Sequence, residues 1–120
     1  LRLDGLIVTL GRNGAMLVER GGTSRHFPTK PRAVYDNTGA GDAVLAMAAV
    51  ALAAGADSAD AVTLSNIAGG LEVSKFGCVP ITRDEILTEL HSSTRRSKSL
   101  LRGAPSMFGW PAVSIRKQGN

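Results

Sequence analysis

Two carboxylates, Asp36 and Asp42, bracket the segment Asn37-Thr38-Gly39-Ala40-Gly41, and an unbroken apolar stretch follows to Ala54. Two glycines let backbone approach a ligand closely, and a helix starting there points free N–H groups outward. Helix N-termini attract anions such as phosphate. A carboxylate at the same place repels phosphate unless it has chemistry to perform, and taking a proton from an attacking hydroxyl is chemistry that fits. Gly39, Ala40 and Gly41 are thus a candidate anion hole, and Asp42 a candidate general base for phosphoryl transfer. The plainer alternative is an ordinary loop-to-helix turn on which Asp42 is a favourable N-terminal charge or cap, worth about 0.5–2 kcal/mol. No Lys-Ser or Lys-Thr follows, so this is not a Walker loop, and Val44 occupies the third glycine position of a dinucleotide fingerprint.

Other residues read less sharply. Thr9-Leu10-Gly11-Arg12-Asn13-Gly14 follows an apolar run. It is either a hairpin turn or a nucleotide-contacting loop whose glycines admit a phosphate or ribose. Asn66 stands among apolar helix neighbours, where Asn is mildly unfavourable; it either bonds backbone or water, or meets a purine edge. His26 and His91 have no further ligand at metal-binding spacing, which argues against a dedicated protein metal cage. Cys78 is the sole cysteine, so no internal disulfide forms, as suits a reducing compartment. Beside Val79 it reads as core rather than nucleophile, and Met16 and Met47 read as packing residues.

The elements that must position these residues follow from period and punctuation. Leu6–Leu10 reads as a buried strand, Gly11–Gly14 as a turn, and Ala15–Glu19 as a second strand ended by Gly21-Gly22. His26-Phe27-Pro28 reads as a short edge strand that Pro28 and Pro31 keep from extending. Ala43–Ala54 is apolar all round, which predicts a helix packed on more than one side. A second helix is expected from Asp57 or Ser58 to about Lys75, with Ala61, Leu64, Ala68 and Leu71 on one face, and Gly77 as its stop signal. Thr82-Arg83-Asp84-Glu85 is a capping box that opens a short third helix through Leu90. Ser92–Ser99 reads as an interdomain linker or disordered tail, and Leu101–Asn120 gives no assignable element.

At 120 residues, 43% hydrophobic and 20% charged, the chain has the make-up of one soluble globular domain. The net charge of +4 is unevenly spread. Residues 1–90 hold 8 Lys/Arg and 10 Asp/Glu, a net −2, whereas residues 91–120 hold 6 Lys/Arg and no acid, a net +6. Without interleaved aromatics or a nucleic-acid motif, that tail reads as a solvated linker, and no nucleic-acid partner is expected. The longest apolar run, 12 residues, is too short to span a bilayer, and no basic leader precedes it, so neither a membrane span nor a signal peptide is expected. Strands followed by helices imply a layered α/β fold, but two or three strands cannot build its central sheet. The expectation is a C-terminal piece of a larger cytoplasmic enzyme.

Taken together, Asp36 to Asp42, the Thr9–Gly14 loop and Asn66 resemble the C-terminal part of the ribokinase-like (PfkB) carbohydrate kinases. The family signature D-T-x-G-A-G-D stands here as Asp36-Asn37-Thr38-Gly39-Ala40-Gly41-Asp42, with Asn37 in place of the usual Thr. The resemblance covers roughly Leu6 to Leu90. It implies a ribokinase-like three-layer α/β fold present as a C-terminal fragment, with residues 1–90 carrying the ATP site and residues 91–120 forming a basic linker or tail. It further implies Asp42 as the base that deprotonates a sugar hydroxyl, and Gly39, Ala40 and Gly41 as the anion hole. Thr9, Gly11, Asn13, Gly14 and Asn66 become nucleotide contacts, and Asp36 and Thr38 candidates for a monovalent cation such as K+. ATP and Mg2+ are the implied cofactors, with a homodimer of the full-length parent as the candidate assembly. Within the family, Leu71–Gly77 and Pro80–Glu85 look most like heptose 7-phosphate kinases of lipopolysaccharide precursor synthesis, which implies D-glycero-β-D-manno-heptose 7-phosphate as acceptor. The alternatives are another sugar, a nucleoside or a vitamin alcohol, or a nucleotide-binding remnant without turnover. In many of these kinases a linker leads to an adenylyltransferase domain, but the tail does not resemble the start of one. The family's sugar-binding lid and upstream Mg-linked acidic motif are absent from these residues, so the fragment alone is expected to be inert.

Overall fold

The computed structural model describes residues 2–30, 32–77 and 79–103. Pro31, Cys78, which the sequence suggests is core, and the end of the basic tail, residues 104–120, lie outside the described residues.

Three short strands form an antiparallel meander in the order β1-β2-β3: β1 Gly5–Thr9, β2 Ala15–Glu19 and β3 Ser24–Phe27. Ile7 pairs with Leu17, and Ala15 with Phe27. Because side chains alternate across a strand, Ala15 and Leu17 share one face. They are buried there against Val62, with Ile7 and Phe27 partly covering the cluster. The strand positions agree with the sequence to within a residue or two, but β1 is not the buried strand expected from its composition. It is an edge strand whose Leu6 and Val8 are exposed, because only the face carrying Ile7 meets the core.

Val62 belongs to α2, Ser58–Val73, the central helix of the structure. Asp57 caps it, its Oδ1 accepting from the Asp60 N–H at 2.8 Å. The buried stripe of α2 is Ala61, Val62, Ser65, Ala68, Gly69 and Glu72; of the four residues expected on one face, Ala61 and Ala68 are buried and Leu64 and Leu71 half-buried. The Ser65 hydroxyl satisfies itself on the Ala61 carbonyl at 2.6 Å. The helix α1, Ala40–Ala53, packs along α2 at close range: a Cβ built on Gly69 would lie 2.7 Å from Val44 Cγ2. Only Ala48 and Ala51 of α1 are buried. The expected packing on several sides is not seen: α2 is its main neighbour, and Leu45, Val50 and Leu52 lie exposed.

The helix α3 spans Arg83–Gly103, well past the predicted end at Leu90 and through the whole of the Ser92–Ser99 stretch expected to be a linker. No Pro or Gly interrupts it before Gly103. The serines and threonines that suggested a linker bond back onto the helix instead: Ser93 Oγ donates to Glu89 O and Thr94 Oγ1 to Leu90 O. The expected capping box is present, Thr82 N–H donating to Glu85 Oε2 at 2.7 Å and Glu85 N–H to Thr82 Oγ1 at 3.3 Å. No helix among the described residues is long and apolar enough to cross a membrane.

Candidate active site

The segment before α1 is fixed at three points. Tyr35 N–H donates to Val73 O at 2.9 Å, tying it to the end of α2, and the Tyr35 and Phe76 rings lie tilted with centroids 6.2 Å apart. Further back, Lys30 and Arg32 both pair with Glu89 of α3, at 2.5 and 2.9 Å. Glu89 is held below the ordinary carboxylate range, first by the Lys30 hydrogen bond and then by Arg32, against its partial burial. Asp36 then turns the chain, its Oδ1 accepting from Thr38 N–H at 2.9 Å. That N–H is the main reason the Asp36 carboxyl sits below its usual range.

Gly39 is the N-cap of α1 at φ 88°, a left-handed conformation that glycine adopts without strain. The carbonyl of Gly39 accepts the first helical bond, from Ala43 N–H at 2.9 Å, and the Ala40 N–H reaches Asn37 O at 3.4 Å. No side chain caps the helix. With no side-chain cap, and with the Ala40 N–H on Asn37 O, the next amides of the first turn of α1 have no capping partner. Asp42, in the first turn, is exposed.

A cleft of about 550 Å³ opens beside this helix end. It is lined by Gly39 and Asp42, by Met47 and Val50 of α1, by Glu72 of α2 and by the 79–81 segment. Lys75 holds that last segment, its Nζ donating to Pro80 O at 2.8 Å and to Glu85 Oε2 at 3.0 Å. Glu85 is lowered to about 2, first by the Thr82 N–H and then by Lys75.

The remaining candidates gather elsewhere. Thr9 ends β1, and Gly11–Asn13 form a single 3-10 turn closed by Leu10 N–H on Gly14 O at 2.7 Å. Gly14 is buried against β3: a Cβ there would fall 2.0 Å from Phe27 O. Asn13 O accepts from His26 Nε2 at 2.7 Å. Asn66 Nδ2 donates to that same Phe27 carbonyl at 2.8 Å, so its amide nitrogen bonds backbone, the plainer of the two sequence readings. Asn13, Gly14 and Asn66 thus meet β3, Thr9 and Gly11 belong to the end of β1 and the turn after it, and none of the five lines the cleft that holds Gly39 and Asp42. The carboxylate of Glu72 and the 79–81 segment escaped the sequence reading. The available signal was an acid spaced four residues after Ala68 on the small-residue stripe of α2.

The description "pfkB family carbohydrate kinase" matches residues 2–84. The bifunctional protein HldE of Halorhodospira halophila is 48% identical over 86 residues, and that of Nitrosococcus oceani 44% identical over 91 residues. These cover 72% and 76% of this chain but only 18% and 19% of the relatives, so the chain spans about a fifth of their length. Among solved structures, Arabidopsis thaliana ribokinase complexed with ribose and ATP superposes with TM-score 0.67 at 31% identity, over 72% of this chain and 29% of that one. Aminoimidazole riboside kinase from Salmonella enterica, complexed with aminoimidazole riboside and an ATP analogue, gives 0.64 at 32% identity, over 72% and 31%. The fold is ribokinase-like, and these residues are a part of it.

Proposed function

Since the chain belongs to the pfkB family of carbohydrate kinases, we propose that it supplies the phosphoryl-transfer centre of an ATP-dependent sugar-phosphate kinase, with heptose 7-phosphate as acceptor. The observation that carries this reading is an exposed carboxylate, Asp42, in the first turn of a helix whose N-terminus no side chain caps, at the wall of an open cleft. Asp42 accepts the proton of the acceptor hydroxyl as it attacks. The amides of Gly39, Ala40 and Gly41 donate to the oxygens on which negative charge grows, at a helix end whose dipole favours that charge. Magnesium, held mainly by phosphates and water, supplies further neutralisation when bound. Asp36, kept ionised by the Thr38 N–H, and the Thr38 hydroxyl are oxygen donors suited to a monovalent cation. The turn at Thr9–Gly14 and Asn66 Oδ1 are assigned to the nucleotide's ribose and base. The acceptor assignment is supported by the HldE relatives at 44–48% identity, above the 31–32% shared with the ribokinase and the riboside kinase.

In the full-length protein, Asp42→Asn is expected to leave ATP affinity within about twofold while lowering kcat on the order of a thousandfold. Paired titration and steady-state assays with heptose 7-phosphate, ribose and a nucleoside measure base and acceptor together. Normal turnover by the variant overturns the base assignment, and preference for ribose or the nucleoside overturns the acceptor.

A further inference from the structure

Among the described residues Glu72 is the only charged side chain that is buried, at 8% exposure. The described ion pairs engage Asp4, Glu19, Glu85 and Glu89 and give Glu72 no cation. A carboxylate removed from water and left without a counter-charge is unfavourable. Its position sharpens the conflict. Oε1 lies 3.3 Å from where a Cβ on Gly39, the N-cap of α1, would be, and Glu72 shares the cleft wall with Asp42. No described side-chain oxygen or nitrogen is both sealed and partnerless, so the Glu72 oxygens keep access to that cleft.

Phosphate bound at the α1 N-terminus would share the cleft with this second negative charge, and like charges repel. The helix end favours the anion and Glu72 opposes it. A hard cation seated between the carboxylate and the phosphate oxygens removes both penalties at once. We infer that Glu72 holds a metal cation against the phosphates of the bound nucleotide, making nucleotide affinity at this site depend on that cation. This rests on the proposed phosphate site at Gly39–Gly41 and adds a ligand from α2 that lies outside the signature segment. Two cations share the required chemistry, Mg2+ and K+, both of which take carboxylate and phosphate oxygens.

The test is calorimetric titration of ATP into the full-length protein, as wild type, Glu72→Gln and Glu72→Asp. Each is titrated in metal-free buffer, with K+ alone and with Mg2+ alone, and folding is checked by circular dichroism. In metal-free buffer, Glu72→Gln is expected to bind ATP about fivefold more tightly than wild type, because the opposing charge is gone. In the arm holding the operative cation, the tightening that the cation gives wild type should shrink by about fivefold in the variant. That arm identifies the ion. Equal shifts in all three arms, or none, overturn the inference and leave the nucleotide site standing. Absence of ATP binding by wild type in every arm overturns both. Should Glu72→Gln unfold the chain, Glu72→Asp decides: a reduced cation gain supports the inference, and an unchanged one overturns it.

Discussion

Gly39 shows how tightly one residue is specified here. With φ at 88°, any L side chain is strained, and a Cβ would also press to 3.3 Å from Glu72 Oε1. Gly39→Ala is expected to cost about 1–2 kcal/mol from the backbone alone, read as a shift in the urea midpoint. Gly14→Ala should cost more, because its Cβ would meet the rigid Phe27 carbonyl at 2.0 Å rather than a side chain able to swing away. A smaller midpoint shift at Gly14 than at Gly39 would contradict that ranking. At this scale the sequence was most legible where local chemistry decides. Asp42 lies in the first turn because the Gly-Ala-Gly run starts a helix, and Thr82 caps because Glu85 stands three residues on. Asn66 was legible only as a pair of alternatives, since its partner, Phe27 O, is 39 residues away in sequence. Glu72 was invisible because its burial depends on the neighbouring helix.

The entry into α3 is the element most exposed to pH. Glu85 is lowered to about 2 from an ordinary 4.5, first by the Thr82 N–H and next by Lys75. A carboxylate depressed in the folded state contributes fully above its unfolded pKa, and the contribution fades as pH falls towards the folded value. Glu89 shifts in the same direction through Lys30 and Arg32. Between about pH 4.5 and about 2 the start of α3 and the 79–81 wall of the cleft should therefore loosen together. Hydrogen exchange at the Ile86 amide, which donates to Thr82 O at 3.3 Å, reports it. Protection there that stays flat across the window would refute the coupling. Thr82→Ala should cost about 1 kcal/mol by loss of the cap, measured by denaturant unfolding at neutral pH. The length of α3 could have been anticipated, since its 21 residues hold neither Pro nor an internal Gly, but a run rich in Ser, Arg and Lys looks the same in a solvated helix as in a linker.

Across the whole molecule, the apolar surface is poorly matched to what covers it. Leu45, Val50 and Leu52 of α1 are 70%, 63% and 47% exposed, while the chain spans about 30% of the ribokinase-like structures it superposes on. A helix apolar all round is suited to enclosure, which the elements described here do not give α1. Leu45→Lys is therefore expected to destabilise the full-length protein by about 2 kcal/mol or more, far beyond an ordinary surface change. A neutral result in thermal or chemical unfolding would show that this face is solvated in the full-length protein too. One further consequence concerns motion. With Gly69 pressed to within a methyl group's reach of Val44, α1 and α2 have little room to slide past each other. Asp42 on α1 and Glu72 on α2 would therefore keep their spacing through any motion around the cleft and move as one rigid block.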